Sequence, residues 1–183
     1  MIFVLFSCSG EYSVEDELYA CIEQEFSSHS LNLEAELDSL EVQFLDEGLI
    51  ESTAPADYRN YYQENINQGI LRSLKNPYAK EKFGEIDLTF EKLERCALRK
   101  FDSTTYSNSK FGQISNLIDE AVHSTGQIAS STVANAHLKI LSSDDFEHPF
   151  YRANILLSLQ IVYYRKYVGS DEEHLRPIPK KIF

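Results

Sequence analysis

Apolar residues recur every three or four positions along most of this chain, the spacing of helices that bury one face. Val14, Leu18, Ile22 and Phe26 mark the first stripe. Ser13 is its expected cap, and Glu15, Asp16 and Glu17 fall in the first turn, where carboxylates suit the helix dipole. Leu33, Leu37, Leu40 and Phe44 mark a second helix, with Gly48 placed where helices stop. Pro55 opens a third, on which Tyr58, Tyr62, Ile66, Ile70 and Leu74 recur as far as Pro77, with Tyr61 beside them. Tyrosines at helical spacing read as core or core rim before they read as a ligand platform.

Three further stripes follow: Phe90, Leu93, Ala97 and Phe101; Phe111, Ile114, Ile118 and Val122; then Val133, His137 and Leu141. His137 falls on its stripe and is expected as a hydrogen-bonded core residue. Pro149 fits the first turn of a last helix whose 153–164 stretch is apolar nearly all round, as a helix surrounded by others would be. Strand-like runs occur only at 2–6 and 86–90, and the polar run DSTTYSNS at 102–109 reads as an exposed loop.

This pattern predicts an all-α fold: one single-domain bundle of about six or seven helices over 13–168, with the apolar C-terminal helix at its centre. Residues 169–183 read as a mobile tail. A length of 183 residues, 43% hydrophobic and 25% charged, fits one soluble core.

Charge changes the picture. The net charge is -12, yet residues 1–58 hold 14 acids and no Lys or Arg, while all 17 bases lie from Arg59 onward. Nucleic-acid binding needs clustered bases, so nucleic acid is set aside as a partner. The acidic third is either a solvated face, a docking surface for a basic partner, or a surface for the chain's own Lys and Arg.

Candidate chemistry is sparse. His29, His123, His137, His148 and His174 are scattered, and no zinc, calcium, P-loop, Rossmann or G-x-S-x-G pattern is present, so no metal, no cofactor and no catalytic activity are expected. Asp144, Asp145, Glu147 and His148 form the one dense polar knot. As an acid–base or metal site centred on Asp145, Glu147 and His148 it would make an enzyme, but acids just before a helix are also ordinary capping chemistry.

The opening residues bear on location. Ile2 to Phe6 would form a buried strand only if they had a strand partner, so an export signal is the favoured reading, and the run is too short to span a bilayer. Leu5-Phe6-Ser7-Cys8 resembles the lipobox of small bacterial lipoproteins. That resemblance implies a diacylglyceryl thioether on Cys8, loss of residues 1–7 as signal, and a tether over 8–12. Cys21 and Cys96 would then remain as an even pair in an oxidising compartment, either bridged or as two buried thiols.

The expectation is an envelope-anchored lipoprotein with a helical binding or accessory module. It would be held to the membrane through lipid on Cys8, face the periplasm or cell surface, and work with an envelope protein partner. The alternative is a cytoplasmic interaction module that docks a basic partner through its acidic N-terminal helices.

Overall fold

A computed structural model describes residues 10–68, 86, 88, 90–125 and 130–157, and among these every regular element is helical. The helices are α1 (Ser13–Ser28), α2 (Leu33–Asp46), α3 (Pro55–Gln68), α4 (Phe90–Ala97), α5 (Ser103–Asn108), α6 (Lys110–Thr125), α7 (Ser130–Ile140) and α8 (149–157). A 3-10 turn, Asp144–Glu147, precedes α8. No described helix is long and apolar enough to cross a membrane. The expected signal at 1–7, Cys8, Ile70, Leu74, 158–168 and the tail at 169–183 lie outside the described residues.

The stripes become the core. Val14, Leu18, Ile22 and Phe26 of α1 and Leu33, Leu37, Leu40 and Phe44 of α2 are all buried, as are Phe111, Ile114 and Ile118 of α6. Tyr58, Tyr61 and Tyr62 are buried as well, so the tyrosines of α3 serve as core rather than as an open platform. The described part of α8 is central because its side chains reach four other helices. Phe150 packs edge-on against Phe111 of α6 and Tyr151 bonds Glu15 of α1, while Arg152 pairs with Glu41 of α2 and Asn154 meets His137 of α7.

The C-terminal ends of α1 and α2 are closed by the same device. Gly48, at φ +64°, lets its own N–H reach the Leu45 carbonyl and the Leu49 N–H reach Phe44. Ser30, at φ 60°, does this for α1, with its N–H on Ser27 and the Leu31 N–H on Phe26. A serine there is strained where glycine would not be.

Two boundaries differ from expectation. Ser13 is the first helical residue of α1 rather than its cap. Tyr12 holds the cap position without a side-chain capping bond, its carbonyl accepting the Asp16 N–H at 2.8 Å.

The polar run at 102–109 is not an exposed loop but contains α5. Asp102 caps it by accepting the Thr105 N–H at 2.8 Å, and Tyr106 anchors it in the core. One buried aromatic and one cap suffice where a polar hexamer has no stripe to read. At the α5–α6 turn, Gly112 lies so close to the Tyr106 carbonyl that a Cβ would stand 2.0 Å from that oxygen. Only glycine fits there.

Candidate functional site

Glu17, Cys21 and Glu25 sit one above another on α1, spaced by four. Facing them, in antiparallel register, are Lys100, Cys96 and Lys92 on α4 and the turn that follows it. Glu17 meets Lys100 at 2.5 Å and Glu25 meets Lys92 at 2.6 Å. Between the two ion pairs the sulfurs of Cys21 and Cys96 are placed as a disulfide, with Cα atoms 6.6 Å apart across 75 residues of sequence, inside the span a bridge can close. A cleft of about 250 Å³ beside them is lined by Gln24, Ser28, Leu88 and Arg99, among others.

Glu17, Cys21 and Cys96 also have ligand atoms within 4.8 Å of one another, a grouping that would suit a thiophilic metal if both thiols were reduced. With the sulfurs bridged and Glu17 held by Lys100, those atoms are already used. The arrangement is first of all a cross-link flanked by charges. The pattern E-x3-C-x3-E against K-x3-C-x3-K is written in the sequence and would have identified the pairing, had the charges flanking each cysteine been read together.

A second constellation gathers around Asp145, which is 1% exposed. Its Oδ1 accepts hydrogen bonds from the Tyr12 hydroxyl at 2.7 Å and from the Lys110 ammonium. Its Oδ2 accepts from the Ser142 backbone N–H at 2.7 Å and the Ser142 hydroxyl at 2.8 Å. Burial alone would push this carboxyl up, but the bonds from Lys110, Tyr12 and Ser142 outweigh it and hold the group below the usual carboxylate range. Burial and the Asp145 carboxylate together raise the Tyr12 phenol.

Lys110 also reaches Glu11 at 2.9 Å and lies 4.8 Å over the Tyr12 ring, and that ring stacks on His148 at 4.7 Å. His148 in turn meets Asp16 at 3.1 Å. Asp144 and Glu147, the other members of the expected polar knot, point to solvent. Four donors from the chain itself occupy the Asp145 oxygens. The cluster is a clamp that ties the start of α1 to α6 and to the 3-10 turn.

Beside it, Glu15 is fully buried, with Oε1 accepting the Phe111 N–H at 3.0 Å and the Tyr151 hydroxyl at 2.9 Å. Phe111 is in the first turn of α6, so this carboxylate sits where the α6 dipole favours an anion. Its Oε2 has no hydrogen-bond partner among the described residues.

The third constellation centres on Arg152. Its guanidinium forks onto both oxygens of Glu41 at 3.0 Å each, reaches Asp38 at 2.7 Å and approaches Glu34 at 3.5 Å. Tyr58 donates to Glu41 and Tyr19 to Glu34. Arg59, the first base in the chain, turns the other way and donates to the carbonyls of Leu138 and Leu141 at the end of α7.

His137 is 1% exposed, with Nδ1 donating to the Val133 carbonyl at 2.8 Å, Nε2 3.2 Å from the Asn154 amide oxygen, and the ring stacked on Tyr62 at 4.8 Å. Burial depresses its pKa below the ordinary imidazole value. It is a core histidine.

Comparison with models of known protein families, with curated proteins and with solved structures finds no match to this chain.

Proposed function

We propose that the chain is an envelope-anchored bacterial lipoprotein, held by lipid on Cys8, whose helical body is a binding or accessory module for an envelope protein partner and carries no catalytic chemistry of its own. The observation that supports this reading is the pairing of Cys21 with Cys96 across α1 and α4. Structural bridges persist in oxidising compartments, and this one takes two of the three cysteines, leaving Cys8 for acylation. The acid–base reading of Asp145 and His148 has less behind it, because their polar atoms are spent on holding the fold together.

The cytoplasmic alternative, an acidic face awaiting a basic partner, is weakened by the intramolecular pairs. Glu11, Glu17, Glu25, Glu34, Asp38 and Glu41 are already matched to Lys110, Lys100, Lys92 and Arg152. Intact mass of the native protein tests the proposal. The reading expects loss of everything before Cys8 and a gain of diacylglyceryl and fatty acyl groups, with Cys21 and Cys96 lacking their two thiol hydrogens. A mass that retains Met1 with no lipid would reject it.

A further inference from the structure

We propose that the end of the helical body carrying Tyr12 rests directly on the phospholipid headgroup surface, with α1 leading away from the bilayer; this rests on the lipid-anchor reading of Cys8. Cys8 precedes Gly10 by two residues and Tyr12 by four. An extended chain spans at most about 3.6 Å per residue, so the Cys8 Cα lies within about 7 Å of Gly10 and about 14 Å of Tyr12. Tyr12 is not part of a free tether. Its hydroxyl is bonded to Asp145, its ring is stacked on His148, and its ring face is covered by Lys110.

A thioether lipid on Cys8 fixes that sulfur near the boundary of headgroups and acyl chains. Gly10 already belongs to the body, its carbonyl accepting the Ser13 N–H at 3.1 Å, so at most about 7 Å of chain, roughly the thickness of one headgroup layer, separates it from the anchored residue. The surface brought down includes Glu11 at the start of the body, Asp16 in the first turn of α1, and Asp144 and Glu147 on the 3-10 turn, all exposed. Against them stands Lys110, already paired with Asp145 and Glu11.

This face is acid-rich. Charge therefore gives it no attraction to the headgroups: the lipid on Cys8 alone holds the body down, and anionic lipid would weaken the contact. α1 is flanked by α2 and α4 and pinned to α8 through Glu15 and Tyr151, and the strip it leaves open, with Asp16, Glu23, Gln24 and Ser27, is polar and offers an apolar layer little to bury. Its far end at Ser27 stands about 21 Å along the helix axis from Ser13.

The test uses the full chain, matured in a bacterium that acylates lipoproteins, checked by intact mass, and reconstituted in phosphatidylcholine vesicles bearing headgroup spin-labelled lipid. A fluorescent amino acid is placed at the exposed position Glu147 in one sample and at the exposed position Ser27 in another. Quenching at position 147 is expected to exceed that at 27 several-fold, and a long Gly/Ser insertion between Ser9 and Gly10 is expected to abolish the difference while leaving vesicle binding intact. Equal quenching at the two positions in lipid-bearing protein, or a difference that survives the insertion, overturns the inference and leaves the anchor standing. A mass without lipid removes the anchor reading and this inference with it.

Discussion

Glu25 on α1 pairs with Lys92 on α4 at 2.6 Å, one helical turn beyond the cysteine pair, as Glu17 pairs with Lys100 one turn before it. The two ion pairs hold α4 in the register that brings Cys96 over Cys21. Replacing both cysteines by serine is expected to cost about 4 kcal/mol, the loop-closure entropy of a 75-residue separation, read as a lower urea midpoint with a changed baseline for the unfolded chain. Charge reversal at Lys92 alone should cost less than about 1 kcal/mol, because that pair is half open to solvent. A stability unchanged on full reduction would show that the cross-link is dispensable.

Asp145 joins α1, α6 and the 3-10 turn through one carboxylate. Asp145→Asn keeps the shape but removes the charge that Lys110 and Tyr12 face, and an expected loss of about 1–3 kcal/mol follows from weakening charge-assisted bonds in a buried place. Because the folded pKa lies below the unfolded value, the wild-type contribution is full above the unfolded pKa of about 3.9 and disappears as pH falls through the folded one. Thermal melts between neutral and strongly acidic pH should therefore converge for the two proteins at the acid end.

His137 gives the fold a second acid sensitivity, at milder pH. Its folded pKa is depressed by burial, so the unfolded chain takes up a proton that the folded one refuses once pH drops below about 6.5. Stability is expected to fall between neutrality and pH 5. His137→Gln, less stable at pH 7.5, should show a shallower slope across that window; an equally steep slope in the variant would assign the effect to another group.

Gly112→Ala forces a methyl group against the Tyr106 carbonyl, backbone that cannot swing aside as a side chain would. Overpacking of this kind costs about 1–3 kcal/mol and is expected to loosen α5 first, visible as faster amide exchange over 103–108.

Ser30→Gly should move stability the other way. The residue adopts φ 60° to close α1, a conformation that strains any side chain, and a gain of up to about 1 kcal/mol is expected in a urea titration. Gly48→Ser, the reciprocal change at φ +64° behind α2, should lose a comparable amount.

Helix positions were legible because each stripe is a local property: the residues that must share a face lie three and four apart, and Pro55, Pro149 and Gly48 punctuate them. α5 escaped notice because six residues with one anchor carry no period. Glu15 is one of three acids that suit the first turn of α1, and it also lies three residues before Leu18 and so on the edge of the buried stripe. Its partners, Phe111 and Tyr151, are about a hundred residues away or more, and nothing near it in sequence announces them.

The sequence by itself determined that the chain is helical, where most helices begin and end, and that its acids precede all of its bases, since periodicity and composition need only neighbours along the chain. Only the tertiary structure decided where those acids go. The segregation of charge along the sequence is undone in space when Lys92, Lys100, Lys110 and Arg152 fold back onto α1, α2 and the residues just before them. Coulomb energy is largely screened beyond about 10 Å in salt solution, so an acid has no preference for a base a hundred residues away until packing of the apolar stripes has brought the two together.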